Sequence, residues 1–192
     1  MPAELARRAL LLAACAAPLQ RAWAAEALNI GSTRGVIDFS IGDSRIFRTT
    51  GSFKEWSGKL TVDDVHVPGS RVDVTVRTQS IALLDPQQTS MLKEAEFFDV
   101  ERFPEMTFRS HAIERSGEAA LRVQGDVTLR GITRPMQLDV LVSDRRPDAP
   151  AGSRYARFRA EGSIKRSEFG MIKYIDLVGD TVDISIRAEA WR

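Results

Sequence analysis

With 192 residues, 43% of them hydrophobic and 28% charged, the chain is too apolar to remain disordered and long enough to build one core. The net charge is +1, and the first 24 residues hold Arg7, Arg8 and Arg21 against Glu4 alone. The remainder therefore carries 24 basic against 25 acidic side chains, a balance that argues against a nucleic-acid-binding surface.

The N-terminus has the layout of an export signal: a basic pair at Arg7-Arg8, an apolar run from Ala9 to Leu19, and a small-x-small cleavage site at Ala22-Trp23-Ala24. A signal peptide over 1–24 and a single mature domain over 25–192, placed in the periplasm, are expected. The Arg-Arg pair fits a twin-arginine signal as well as a general secretory one, and both routes stay open. The apolar run is too short to span a bilayer, and no later run reaches the ~20 residues a span needs. Cys15 is the only cysteine, so cleavage after Ala24 leaves no thiol for disulfides, nucleophiles or metal sites. A lipobox reading of Leu12 to Cys15, with a lipidated Cys15, is the less favoured alternative.

Beyond the signal, apolar and polar residues alternate with the period of a strand that buries one face. Ile37, Phe39 and Ile41 share a face, as do Leu60 and Val62; Val72, Val74 and Val76 then oppose Arg71, Asp73, Thr75 and Arg77. A different pattern interrupts at Asp85, where a capping residue, Pro86 and Gln88 mark a helix start. Met91, Leu92 and Ala95 follow at helical spacing, so a short amphipathic helix from about Pro86 to Phe97 is expected over one side or end of the strands. Alternation also turns Phe108 inward and resumes with Leu121, Val123, Val127 and Leu129, then a turn with Gly131 and Pro135, then Met136, Leu138, Val140 and Val142. After a loop over 144–152 rich in proline and charge come Ala156, Phe158, Ala160 and Ile164, and finally Val182, Ile184, Ile186, Ala188 and Ala190. Many short strands with turns between them make an all-β antiparallel barrel or sandwich. The apolar interior is either packed by its own side chains or open as a cavity.

Four stretches in this order resemble the YceI-like polyisoprenoid-binding proteins over nearly the whole mature chain, from Leu28 to Trp191. They are the stretch from Gly51 to Gly58 (GSFKEWSG), that from Glu96 to Ser110 (EFFDVERFPEMTFRS), that from Gly125 to Pro135 (GDVTLRGITRP), and that from Ile164 to Met171 (IKRSEFGM) with Val178 to Val182 (VGDTV). The resemblance implies a lipocalin-like, eight-stranded antiparallel barrel with a short helix, whose lumen holds a polyprenyl chain, an isoprenoid quinone or a similar amphiphile. It implies no catalytic residue. The chain departs from the family pattern where many members have a His-Leu pair, since Asp43-Ser44 stand here.

The lumen candidates are Phe39, Ile41, Val72, Val74, Val76, Leu92, Phe108, Leu121, Val123, Leu129, Leu138, Phe158 and Ile184. Arg45 and Arg130, with Arg48 and Arg134, are candidates for holding a phosphate or carbonyl head at a barrel mouth, because guanidinium binds such groups bidentately. Met91, Leu92, Phe97 and Phe98 form either an apolar lid or a helix face that plugs the core. His66 and His111 have no second ligand at fixed spacing, and Asp63-Asp64 sit at a solvated turn, so no metal, cofactor or acid-base pair is expected. A non-enzymatic carrier of a lipid, with neither a nucleic acid partner nor a membrane span, is the leading reading. An enzyme acting on a lipid or quinone in the same cavity, or a packed barrel that inhibits or scaffolds a partner, are the alternatives. Monomer and homodimer both stay open.

Overall fold

The computed structural model describes residues 25–42, 48–63 and 66–192. The expected signal peptide with Cys15, the Asp43-Ser44 pair, Arg45 and Asp64 lie outside the described residues. Among the described residues, none of the helices is long and apolar enough to cross a membrane.

Eleven strand segments among the described residues build one antiparallel sheet: β1 (Glu26–Gly31), β2 (Gly35–Ile41), β3 (Thr49–Phe53), β4 (Trp56–Val62), β5 (Arg71–Arg77), β6 (Ile81–Leu83), β7 (Glu105–Arg115), β8 (Ala120–Leu129), β9 (Ile132–Ser143), β10 (Arg154–Lys165) and β11 (Thr181–Trp191). They occupy eight barrel positions, because the first three barrel strands are each broken in two. A 3-10 turn over Ser32–Arg34 separates β1 from β2, and both halves lie against β11. The two halves of the next strand follow this break, β4 pairing with β1 and β3 with β2, and the third strand repeats it with β5 and β6. Pairing of Asn29 with Trp191 closes the ring from β1 to β11. The fold is thus the closed eight-stranded antiparallel barrel that the resemblance implied.

Local chemistry accounts for the connections. Leu129 to Ile132 is a two-residue hairpin whose central residues, Arg130 (φ 52°) and Gly131 (φ 73°), both take the left-handed conformation that matches strand twist. Pro135, expected in the turn, instead lies within β9 opposite Asp126. It is tolerated there because β9 pairs with β10 only over Asp139–Ser143, leaving its earlier part with one neighbour. The helix α1 (Pro86–Lys93) starts as expected, with the Asp85 carboxylate accepting from Gln87 N at 2.8 Å, but it stops four residues short of Phe97. Successive helical residues point about 100° apart, so a continued helix would turn Phe97 and Phe98 to different sides. Tight turns over 94–103, with Asp99 at φ 47°, let both rings face the barrel.

Inward side chains form three apolar clusters, the largest holding Phe108, Val123, Leu129, Leu138 and Phe169. Outward positions carry cross-strand ion pairs such as Arg77–Glu105 (2.8 Å) and Arg187–Asp38 (2.8 Å), which at this exposure add little stability. Gly125 is required on the inward face of β8, because a Cβ there would lie 2.5 Å from the Arg109 carbonyl oxygen and 2.5 Å from the Phe108 ring. Backbone cannot yield as a flexible side chain can. Gly125→Ala is expected to cost ~1 to 3 kcal/mol in urea denaturation, and an unchanged midpoint would show that β7 and β8 part readily.

Candidate ligand site in the barrel lumen

A cavity of about 840 Å³ occupies the barrel, toward the upper end of the size usual for small-molecule sites. All thirteen apolar candidates line it. Phe39 and Ile41 come from β2, Val72, Val74 and Val76 from β5, and Leu92 from α1. Phe108 is on β7, Leu121, Val123 and Leu129 on β8, Leu138 on β9, Phe158 on β10 and Ile184 on β11. Val76, Phe108, Val123, Leu129 and Leu138 are buried among their neighbours, whereas Val74, Phe158 and Ile184 keep accessible surface. Accessible surface on inward, mid-strand side chains means that the lumen is open rather than filled by its own core.

The mouth arginines are placed differently. Arg130 does not line the cavity: its Nη1 donates to the carbonyl oxygens of Ala95 (2.8 Å) and Phe97, tying the turn after α1 to the β8–β9 hairpin. Arg48 donates to Ser40 Oγ (2.6 Å) and Asp183 (3.0 Å) on the outside of the barrel, and Arg134 donates to the carbonyl oxygen of Thr133 (3.0 Å). These three do not converge on one head group. The physical reason for Arg130 is its turn position, which directs the side chain along the barrel rim to carbonyls of the turns that follow α1.

A YceI-like domain model matches residues 28–190. The chain belongs to the YceI-like family. It is similar to Protein YceI of Salmonella arizonae, with 32% identity over 139 residues that make up 72% of each chain. Among solved structures it is similar to BcnA of Burkholderia cenocepacia (TM-score 0.71, 23% identity, 82% of this chain and 97% of that one). It is also similar to a polyisoprenoid binding domain from Saccharophagus degradans implicated in plant cell wall breakdown (TM-score 0.58, 11% identity, 87% of this chain and 98% of that one). At these identities the two structural likenesses establish the shared barrel.

Within this YceI-like barrel the two rims differ. One carries charge, with Asp63, Arg115, Glu118, Asp144 and Arg145 around the opening. The other is covered from two sides. Gln88, Met91 and Leu92 of α1, with Phe97 and Phe98, make up one flank, so the apolar face of the helix is a wall of the cavity. The opposite flank is the segment between β10 and β11, formed by a 3-10 turn (Arg166–Phe169), Met171 to Tyr174 and the helical turn α2 (Ile175–Val178). The flanks meet where Lys173 Nζ lies 2.8 Å from Glu96 Oε1 and where the Phe97 and Tyr174 rings are 6.4 Å apart.

The hydrogen bond and charge of Lys173 hold the Glu96 carboxyl below its usual range, while Glu96 raises the Lys173 ammonium. A depressed acid contributes above its unfolded value and loses its contribution as pH falls through the folded one; a raised amine contributes at lower pH and loses it as pH rises through its folded value. The contact is therefore intact across the neutral range and opens at both extremes. The ¹³C resonance of the Glu96 carboxyl is expected to titrate at lower pH than in Lys173→Met; coincident midpoints would show that the pair does not form in solution.

Alternation missed Ile30, Phe53, Trp56, Met106 and Ile113, all on the cavity wall, and it missed Arg166. Arg166 is 6% exposed, and burial pulls its guanidinium below its usual value, opposed by the nearby Asp180 charge. Nε donates to the Gly179 carbonyl oxygen (2.9 Å), and Nη1 to those of Met171 (3.1 Å) and Lys173 (2.7 Å), so one side chain folds the whole segment over the rim. A parity signal existed: after Ala156, Phe158, Ala160, Gly162 and Ile164, position 166 is the next inward one.

Proposed function

We propose that the barrel is a non-catalytic periplasmic carrier that holds the apolar tail of a long amphiphile, an isoprenoid lipid or quinone, in its lumen. The open cavity of about 840 Å³ with its almost wholly apolar wall carries this reading. Removing a methylene from water contributes up to ~0.8 kcal/mol before the costs of ordering, so a long chain can be retained with few polar contacts. The similarity to a polyisoprenoid binding domain supports the ligand class. His66 and His111 are both exposed, and the carboxylates that touch the cavity belong to its charged rim, so among the described residues the lumen offers no acid-base pair for chemistry on a bound lipid. The decisive experiment is native mass spectrometry of the protein isolated from its own host, followed by solvent extraction and identification of the extract. A stoichiometric long-chain lipid is expected; protein that arrives empty and takes up no hexadecanoate, hexadecanol or isoprenoid alcohol after delipidation would overturn the reading.

A further inference from the structure

The third guanidinium nitrogen of Arg166 is distinct from the other two. Nη2 is buried and has no hydrogen-bond partner among the described residues, although Nε and Nη1 of the same group make three bonds. Arg166 also lines the cavity. The nearest acid does not relieve it: the Asp180 carboxylate is engaged by Ser167, accepting from its N–H at 2.9 Å and its hydroxyl at 2.8 Å. The cationic group is therefore held by neutral carbonyls, with one buried donor left over on a residue that lines an apolar chamber. A buried charged donor without an acceptor is costly, and such groups in folded proteins have a water, an ion or a ligand as their complement.

Resting on the lumen-carrier reading, we infer that Arg166 Nη2 is the head-group anchor of this cavity, and that the ligand it fits is an acidic amphiphile whose carboxylate or phosphate oxygen accepts from it. The three carbonyl contacts fix the plane of the guanidinium before the ligand arrives, so little rotamer freedom is lost on binding. They also couple the anchor to the segment from Met171 to Gly179. The head then lies beneath the covered rim, and the tail extends along the Val, Leu, Ile and Phe walls toward the charged one. Charge-assisted hydrogen bonds are roughly twice as strong as neutral ones, which gives the acid its advantage over an alcohol of the same length.

The test uses delipidated protein and three probes with one tail: [1-¹³C]hexadecanoate, hexadecyl phosphate and hexadecan-1-ol, with affinities from calorimetry at pH 7. One or both acids are expected to bind at least ~10-fold tighter than the alcohol, and the ratio of the two acids separates carboxylate from phosphate. The bound ¹³C carboxyl is expected to titrate below the ~4.3 of an exposed glutamate, because a guanidinium contact lowers a pKa that burial alone would raise. Arg166→Gln should bring the acid-to-alcohol affinity ratio to about one, a ratio taken within the variant so that any change in tail binding from the loosened segment cancels. Should that variant fail to fold, the wild-type titration still decides whether the carboxyl meets a cation. The double variant Arg115→Gln, Arg145→Gln, which removes the cations that line the cavity at the opposite rim, and Lys173→Met, which removes the other lining cation among the described residues, decide where; both should keep the preference, and its loss in Lys173→Met would equally move the anchor away from Arg166. Equal affinities of acid and alcohol, a raised carboxyl pKa, or loss of the preference in the rim variant would each overturn the assignment to Arg166. Failure of all three probes to bind would instead overturn the carrier reading on which it rests.

Discussion

Val74→Trp is expected to abolish lipid retention while shifting the thermal midpoint of the delipidated protein by only a few degrees. Val74 points into the cavity from the middle of β5, opposite Phe108 on β7, and keeps accessible surface there. In a close-packed interior an indole at this position would force extra volume against its neighbours, at ~1 to 3 kcal/mol or more. With an open chamber in front of it the ring has space, and it takes up volume that a tail would fill. Lipid recovered per mole after expression, set beside the melting curve of the stripped protein, distinguishes the cases. A large loss of stability in a protein that also carries no lipid before mutation would mark the interior as packed.

Phe169→Ala should be the most damaging single truncation, at ~3 to 5 kcal/mol. The ring is fully buried in the largest apolar cluster, on the turn that leads from β10 into the segment held by Arg166. For a chain of this size that loss corresponds to a fall of about 10 °C or more in the midpoint. Urea denaturation with an unchanged slope would confirm a loss of stability alone. A cost below ~1 kcal/mol would show that the segment is attached to the barrel loosely and does not share its cooperative unit.

The sequence makes the long, regular strands legible and obscures the broken ones, for reasons seen in particular residues. From Ala119 to Leu129 every inward position has odd number, and from Val182 to Ala190 every one is even, so the period of two survives intact. In β7 a register shift between Ser110 and Ala112 moves the inward set from Met106 and Phe108 to Ile113, and the alternation across the whole segment is lost. The breaks at Lys54–Glu55 and at the 3-10 turn Thr78–Ser80 leave pieces such as β3 and β6 that are too short to show a period. Helix α1 was visible from its cap, but its end was set by the need to turn both Phe97 and Phe98 inward, which is a tertiary demand. Much of the apolar wall of the site followed from alternation in the regular strands. Its polar member did not, because an arginine is read as a surface residue unless the parity of its strand is followed one step past the last apolar position.

The nearly uniform aliphatic and aromatic lining of the lumen makes the barrel a ruler more than a lock. Walls of this kind have little means to distinguish one branched hydrocarbon from another by hydrogen bonding, yet each further methylene that fits can deepen binding by up to ~0.8 kcal/mol, about fourfold in affinity. Affinity should climb geometrically with tail length until the chamber is full and then level off, because further carbons stay in water. As a lipid carrier, the barrel would select by length among the tails offered to it.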